Sequence, residues 1–205
     1  MTRTLIAMLV IAAIGGFAFA CLTHGFTILT TESERRQAVV AAPIAVPDLW
    51  GIDQTGKRRP LLDNADGRTV IVDFIFTRCT SVCSALGTSY QQLQADIREQ
   101  HLEHEVRLVT VSFDPERDTP AVIADYGRRF GANPETWTIL MPIDPEALRR
   151  SLEAFGVIRV PAPNGQFIHN AAFNVIDRRG RLTRIVDIGR PRQALAAAQQ
   201  LFDRT

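Results

Sequence analysis

The chain has 205 residues, 46% of them hydrophobic, and a formal net charge of +1. That length holds one ordinary domain with a real core plus a targeting segment, and is short for two domains. The near-neutral charge argues against a nucleic-acid partner held by electrostatics, and three cysteines are too few for a disulfide-stapled scaffold.

The N-terminus is a different material from the rest. Arg3 precedes an uncharged apolar run from Leu5 to Ala20, the pattern of a signal sequence or membrane anchor. Ala18-Phe19-Ala20 is a small-x-small cleavage pattern. Cys21 offers a lipidation site, with Ala18 where Leu is usual. The run also approaches the roughly 20 residues that span a bilayer. Retention at the membrane, by span or lipid, is the favoured expectation, and all three readings export the body of the protein. The expected organisation is a signal or anchor over residues 1–30, a linker over 31–46 and one domain over 47–205. Lys57 is the one lysine among many arginines, and no basic block stands out.

In chain order, Asp48 to Leu62 reads as a β-hairpin around the turn Asp53-Gln-Thr-Gly56. Val70 to Phe76 is nearly all apolar, as expected for a central strand covered on both faces. Ser84 to Gln100 has helical period, with Leu86, Tyr90, Leu93 and Ile97 on one stripe. Val106 to Phe113 is a second strand. Asp118-Thr-Pro opens a helix that stops at Gly131. Trp137 to Met141 is a third strand, and Asp144-Pro-Glu opens a third helix ending near Phe155-Gly156. Phe167 to Ile176 and Leu182 to Ile188 flank Asp177-Arg-Arg-Gly180 as a late hairpin, and Pro191 to Phe202 is a C-terminal helix. Alternating strands and helices imply an α/β fold with a parallel core extended by antiparallel hairpins. This is the thioredoxin-like pattern.

The chemistry concentrates in Cys79-Thr-Ser-Val-Cys83. These cysteines follow the first central strand, on the carboxyl edge of the sheet, where open α/β folds place their sites. A helix begins directly after them. Its N-terminal N–H groups and partial positive charge favour thiolate over thiol. Thiolates serve disulfide exchange and soft-metal binding alike. Inert buried cysteines are the bland alternative. Among the four histidines, His24 lies beside the apolar segment, and His101 and His104 read as exposed helix-end residues. His169 falls at the start of the late hairpin, a region that lies beside the cysteine loop in a thioredoxin-like fold. By position alone it is equally a third ligand or an ordinary strand-edge residue.

Four segments in order carry a family resemblance: Phe74-Ile-Phe-Thr-Arg-Cys-Thr-Ser-Val-Cys83, Val111-Ser-Phe-Asp-Pro-Glu-Arg-Asp-Thr-Pro120, the His169 strand, and Asp177-Arg-Arg-Gly180. Over Pro47 to Phe202 the chain resembles the Sco/SenC copper chaperones of cytochrome c oxidase assembly. The resemblance implies Cys79, Cys83 and His169 as copper ligands. Two thiolates and an imidazole suit Cu(I) and accommodate Cu(II) with an added oxygen ligand, whereas structural zinc prefers four protein ligands. Asp118 is expected to cap its helix and Asp114 to shape the turn before Pro115. Support from behind the ligands is a further reading for both. Thr80 and Ser84 stand where family members usually carry proline, and Ile168 where they carry an acid. Proline would stiffen the loop, so redox potential, metal affinity and partner choice are the properties expected to differ.

The resemblance implies a membrane-tethered chaperone on the exported, periplasmic side. It would deliver copper to a respiratory oxidase subunit or exchange it with another copper chaperone. The alternative is a thiol–disulfide oxidoreductase in which Cys79 and Cys83 cycle to keep a copper-site partner reduced. A metallochaperone is expected over an enzyme. A thiol peroxidase and a membrane-tethered adaptor are the remaining classes.

Overall fold

A computed structural model describes residues 6, 8, 10–17, 31–63, 67–79 and 82–203, the side chains of 31, 82 and 83 excepted. Two units divide the chain at Ala41 and Ala42. In the first, residues 10–17 are helical, with Ile11, Ile14 and Phe17 exposed. Helix α1 (Thr31–Ala41) occupies part of the segment expected to be linker. Glu32 supports it by pairing with Arg35 at 3.1 Å and Arg36 at 3.0 Å, the three- and four-residue steps that face each other on a helix. Among the described residues no helix is long and apolar enough to cross a membrane. Most of the expected signal or anchor, Cys21 included, lies outside them.

The second unit runs β1 (Ile44–Ala45), β2 (Trp50–Asp53), β3 (Arg58–Pro60), β4 (Thr69–Ile75), α2 (Val82–Glu99), β5 (Val106–Ser112), α3 (Pro120–Phe130), β6 (Trp137–Pro142), α4 (Pro145–Ala154), β7 (Arg159–Ala162), β8 (Gln166–His169), β9 (Ala172–Ile176), β10 (Arg181–Asp187) and α5 (Pro191–Asp203). One sheet has the order β1-β10-β9-β4-β5-β6-β2-β3. Its centre, β4-β5-β6, is parallel, and every residue of β4 and β5 is buried. Uniform burial follows from helices covering both faces, which is why most positions on these strands are apolar, with Asp73 and Arg107 as buried exceptions. The flanking pairs are antiparallel: β2 on β6 and on β3, β9 on β4, β10 on β9. Helix α5 packs on β4, β9 and β10, and α3 on β6 and β2.

The expected helices and strands are present, with one difference that matters. The first arm of the late hairpin begins at Ala172, not Phe167. Residues Gln166–His169 instead pair with Arg159–Ala162 as a separate two-stranded ribbon. Its turn carries Asn164 at φ 61° and Gly165 at φ 69°, consecutive left-handed residues of the kind asparagine and glycine tolerate in tight hairpins.

The interior is aromatic. Trp137, Tyr90 and Phe173 are fully buried and in ring contact at 5.4–5.8 Å. Tyr90 donates its hydroxyl toward the Ile71 and Val109 carbonyls at 3.2 and 3.4 Å. Helix α2 approaches α3 closely at Gly87, where a Cβ would lie 2.6 Å from the Phe130 ring. Residue 87 is therefore glycine for packing, despite the conformational cost of glycine in a helix.

Candidate metal centre

Strand β4 ends at Ile75, and Phe76-Thr77-Arg78 lead to Cys79 on the carboxyl edge of the sheet. The Cys79 N–H donates to the Phe76 carbonyl at 3.2 Å, a turn that lifts the half-buried cysteine out of the strand. Helix α2 starts at Val82, so the Cys83 backbone stands in its first turn. The Cys83 side chain, Thr80 and Ser81 lie outside the described residues.

Asp118 was expected to cap α3. The cap is Thr119, whose hydroxyl accepts from Val122 N–H at 3.5 Å. Asp118, fully buried, instead receives Thr77 N–H at 3.0 Å, Thr77 Oγ1 at 2.5 Å and Ser112 Oγ at 2.6 Å. An Asp-Thr pair before a helix offers two capping side chains, and the one left over reached the neighbouring loop. Burial pushes the Asp118 carboxyl above its ordinary range, against the pull of the Ser112 and Thr77 donors. Asp114 is also buried. Its carbonyl accepts from Arg117 N–H and Asp118 N–H, and its carboxylate holds Arg117 Nη1 at 3.0 and 3.2 Å. The Asp-Pro-Glu-Arg-Asp-Thr run is thus a self-bonded turn that clamps the segment two residues before Cys79.

His169 ends β8. It reaches the same edge because side chains two apart on a strand share a face. The rings of Phe167 and His169 lie together on Phe76 and Phe113: Phe167 at 5.3 and 5.5 Å, His169 at 5.9 and 5.0 Å, all steeply inclined. Edge-to-face packing is the favoured geometry for such pairs. Phe76 is the residue whose carbonyl anchors Cys79. The ribbon is fastened further by Gln166 Nε2 to the Arg78 carbonyl at 3.4 Å and by Arg159 Nη1 to the Phe113 carbonyl at 2.7 Å. At its base the Asn170 side chain accepts from Ile158 N–H at 2.7 Å and donates to the Gly156 carbonyl at 2.9 Å.

The His169 ring has a defined hydrogen-bond partner. His169 Nδ1 lies 3.0 Å from the Asn170 carbonyl. A carbonyl only accepts, so Nδ1 carries the proton and the lone pair sits on Nε2. Metal-bound histidines commonly hold their second nitrogen this way. Partial burial lowers the His169 pKa, with the Asn170 carbonyl opposing, which favours the neutral ring. Among the described residues the other histidines do not join it: His101 and His104 are exposed beyond the end of α2, His101 at φ 59°. Among the described residues no group of three His, Cys, Asp or Glu side chains converges as a metal site. That set includes Cys79 and His169 but not the Cys83 thiol.

Fold and site define a thioredoxin-like α/β protein with a cysteine loop at the carboxyl edge and a histidine ribbon packed beside it. The sequence model of the SCO1/SenC family matches residues 49–201, and the chain belongs to that family. The SCO1 protein homolog of Bacillus subtilis (strain 168) is 24% identical over 132 residues, 63% of this chain and 67% of the relative. A SCO1/SenC family lipoprotein from Bacillus anthracis str. Ames has a similar structure, with a TM-score of 0.69 at 23% identity over 79% of this chain and 98% of that one. Bradyrhizobium japonicum ScoI, solved with copper bound, gives a TM-score of 0.60 at 23% identity over 77% of this chain and 99% of that one.

Proposed function

We propose that this chain is a membrane-tethered copper chaperone that binds one copper ion through Cys79, Cys83 and His169. It would pass the ion to a copper-site subunit of a respiratory oxidase, directly or by way of another copper chaperone. The observation that carries this reading is the shared Phe76 platform. Its carbonyl holds the Cys79 N–H at 3.2 Å while its ring receives the His169 imidazole at 5.9 Å. The first turn of α2 brings the Cys83 backbone to the same edge, and its N-terminal dipole favours the thiolate form that a soft cation needs. The copper-bound state of Bradyrhizobium japonicum ScoI supports copper as the cargo. A low-coordinate site at the domain edge suits transfer, because an incoming thiol or thioether can approach the ion. The apolar residues 10–17 and the lipoprotein nature of the Bacillus anthracis relative support a membrane tether with the domain on the exported side.

Titration of the reduced protein with copper tests this. One equivalent should bind tightly, and Cys79→Ser, Cys83→Ser and His169→Ala should each weaken binding by tenfold or more. Unchanged affinity in all three variants would refute the ligand set.

A second reading rests on the same helix N-terminus. Thiol–disulfide exchange between Cys79 and Cys83 would reduce a copper-site partner, with His169 dispensable. Reductase activity that survives His169→Ala while copper binding fails would assign exchange to the thiols alone.

A further inference from the structure

The opposite edge of the sheet holds a cavity that the copper reading does not use. Its walls come from the amino ends of the parallel strands: Arg68 just before β4, Arg107 as the second residue of β5, and Asn133 to Glu135 before β6. Lys57 and Arg59 from the β2–β3 hairpin close it. The cavity measures ≈ 500 Å³, the size range of small-molecule pockets. Cys79 follows the carboxyl end of β4, roughly 20 Å away along a seven-residue strand.

Among the described residues the lining is mostly cationic. Four cations, Lys57, Arg59, Arg68 and Arg107, face one acid among the described lining residues, Glu135. Asp53, behind the wall, holds Arg59 at 2.7 Å. Two guanidinium groups are fixed in place by main-chain carbonyls: Arg68 Nη1 by Glu103 and Glu135 at 3.0 and 3.2 Å, and Arg107 Nη2 by Leu61 at 2.6 Å. Arg107 is nearly fully buried, at 4% exposure, so its guanidinium is held in one position in the cavity wall. A second pocket of ≈ 270 Å³ adjoins the first. It shares Arg68, Asn133 and Glu135, and adds Arg98 and His104 together with a second acid, Glu103. Planar guanidinium groups held rigidly around a polar cavity are suited to binding phosphate oxygens in pairs.

We infer that this cavity is a binding site for a phosphate-type oxyanion, independent of the copper ligands. Its two natural sources are free phosphate and the headgroup of an anionic phospholipid. The second would orient the domain on the membrane, with the cysteine edge facing away.

The test uses the full chain in neutral detergent, metal-free, at constant ionic strength set with chloride. Inorganic phosphate and sn-glycero-3-phosphoglycerol, the headgroup of phosphatidylglycerol, are titrated separately while the melting temperature is followed. At least one should raise it saturably. In Lys57→Gln/Arg68→Gln the midpoint concentration should rise tenfold or more while copper stoichiometry stays unchanged. A response to phosphate alone assigns a soluble anion, and a response to the diester assigns a lipid headgroup. Lys57→Gln alone, on an exposed side chain, should give a smaller shift in the same direction and guards against misfolding of the double variant. The proposal is overturned if neither anion acts saturably, or if the variants respond as the parent does.

Discussion

The Asp118 carboxylate takes the backbone N–H of Thr77 at 3.0 Å and the hydroxyl of the same residue at 2.5 Å. Thr77 stands two residues before Cys79, so the turn that begins α3 fixes the path of the cysteine loop. Asp118→Ala strands three donors in a buried place, at a cost of about 2–3 kcal/mol in unfolding free energy. It should also weaken copper binding about tenfold, the effect expected of a group that supports ligands from behind. Asp118→Asn keeps one accepting oxygen and should lose less of both. Denaturant melts paired with copper titrations check this. A full loss of stability with unchanged copper affinity would show that the clamp serves the fold alone.

His169 owes its position to Phe167 and Asn170. Phe167→Leu removes the neighbouring ring on the Phe76 and Phe113 platform, and Asn170→Ala removes the side-chain bonds at the base of the ribbon. Both variants should fold, because the ribbon lies outside the main sheet. Both should weaken copper binding in the same sense as His169→Ala. Combining either with His169→Ala should add little, since interactions through one shared residue are not additive. Full additivity would contradict the coupling.

Asp73 sits in the middle of β4 at 1% exposure, beside the Thr110 and Tyr90 hydroxyls. Burial raises its pKa from 3.8 to about 7, with the Thr110 and Tyr90 hydroxyls pulling the other way. The folded state therefore keeps a proton that the unfolded chain releases. Below about pH 4 both states hold it. Stability falls as pH rises toward 7, and the penalty is complete above that, at most about 4 kcal/mol. Asp73→Asn should flatten the loss between pH 4 and 7 and be more stable than the parent at pH 8. Denaturation midpoints across that range decide it. A parent-like slope in the variant would place the titration elsewhere.

Gly87→Ala puts a methyl group where the Phe130 ring already stands. Overpacking of this kind costs about 1–3 kcal/mol, readable as a lowered denaturation midpoint. Adding Phe130→Leu should recover part of it. A neutral Gly87→Ala would mean that α2 and α3 are less closely packed than the structure shows.

Much of the architecture was legible because its signals are local. Strand β4 is apolar apart from Thr69 and Asp73, and α3 stops at Gly131 in the left-handed conformation, φ 64°. The ribbon has only a weak signature in the sequence. Arg159-Val-Pro-Ala has no clean alternation, and its Val160, like Ile168 across from it, faces solvent at 51% and 69% exposure. The Asn164-Gly165 pair was the available hairpin signal. His169 was legible as a candidate from its place in the chain, but its seat on Phe76 and Phe113 is a long-range contact. Local sequence does not choose between the adjacent capping side chains Asp118 and Thr119, and the structure uses Thr119. The cationic cavity draws on positions 57, 59, 68 and 107, so no basic block in the sequence announces it.

The most direct test of the central claim is X-ray absorption of the reduced, Cu(I)-loaded protein beside its His169→Ala variant. The account predicts two sulfur donors and one imidazole nitrogen in the parent, with the nitrogen lost and both sulfurs kept in the variant. A sulfur-only environment in the parent, unchanged by His169→Ala, would contradict it.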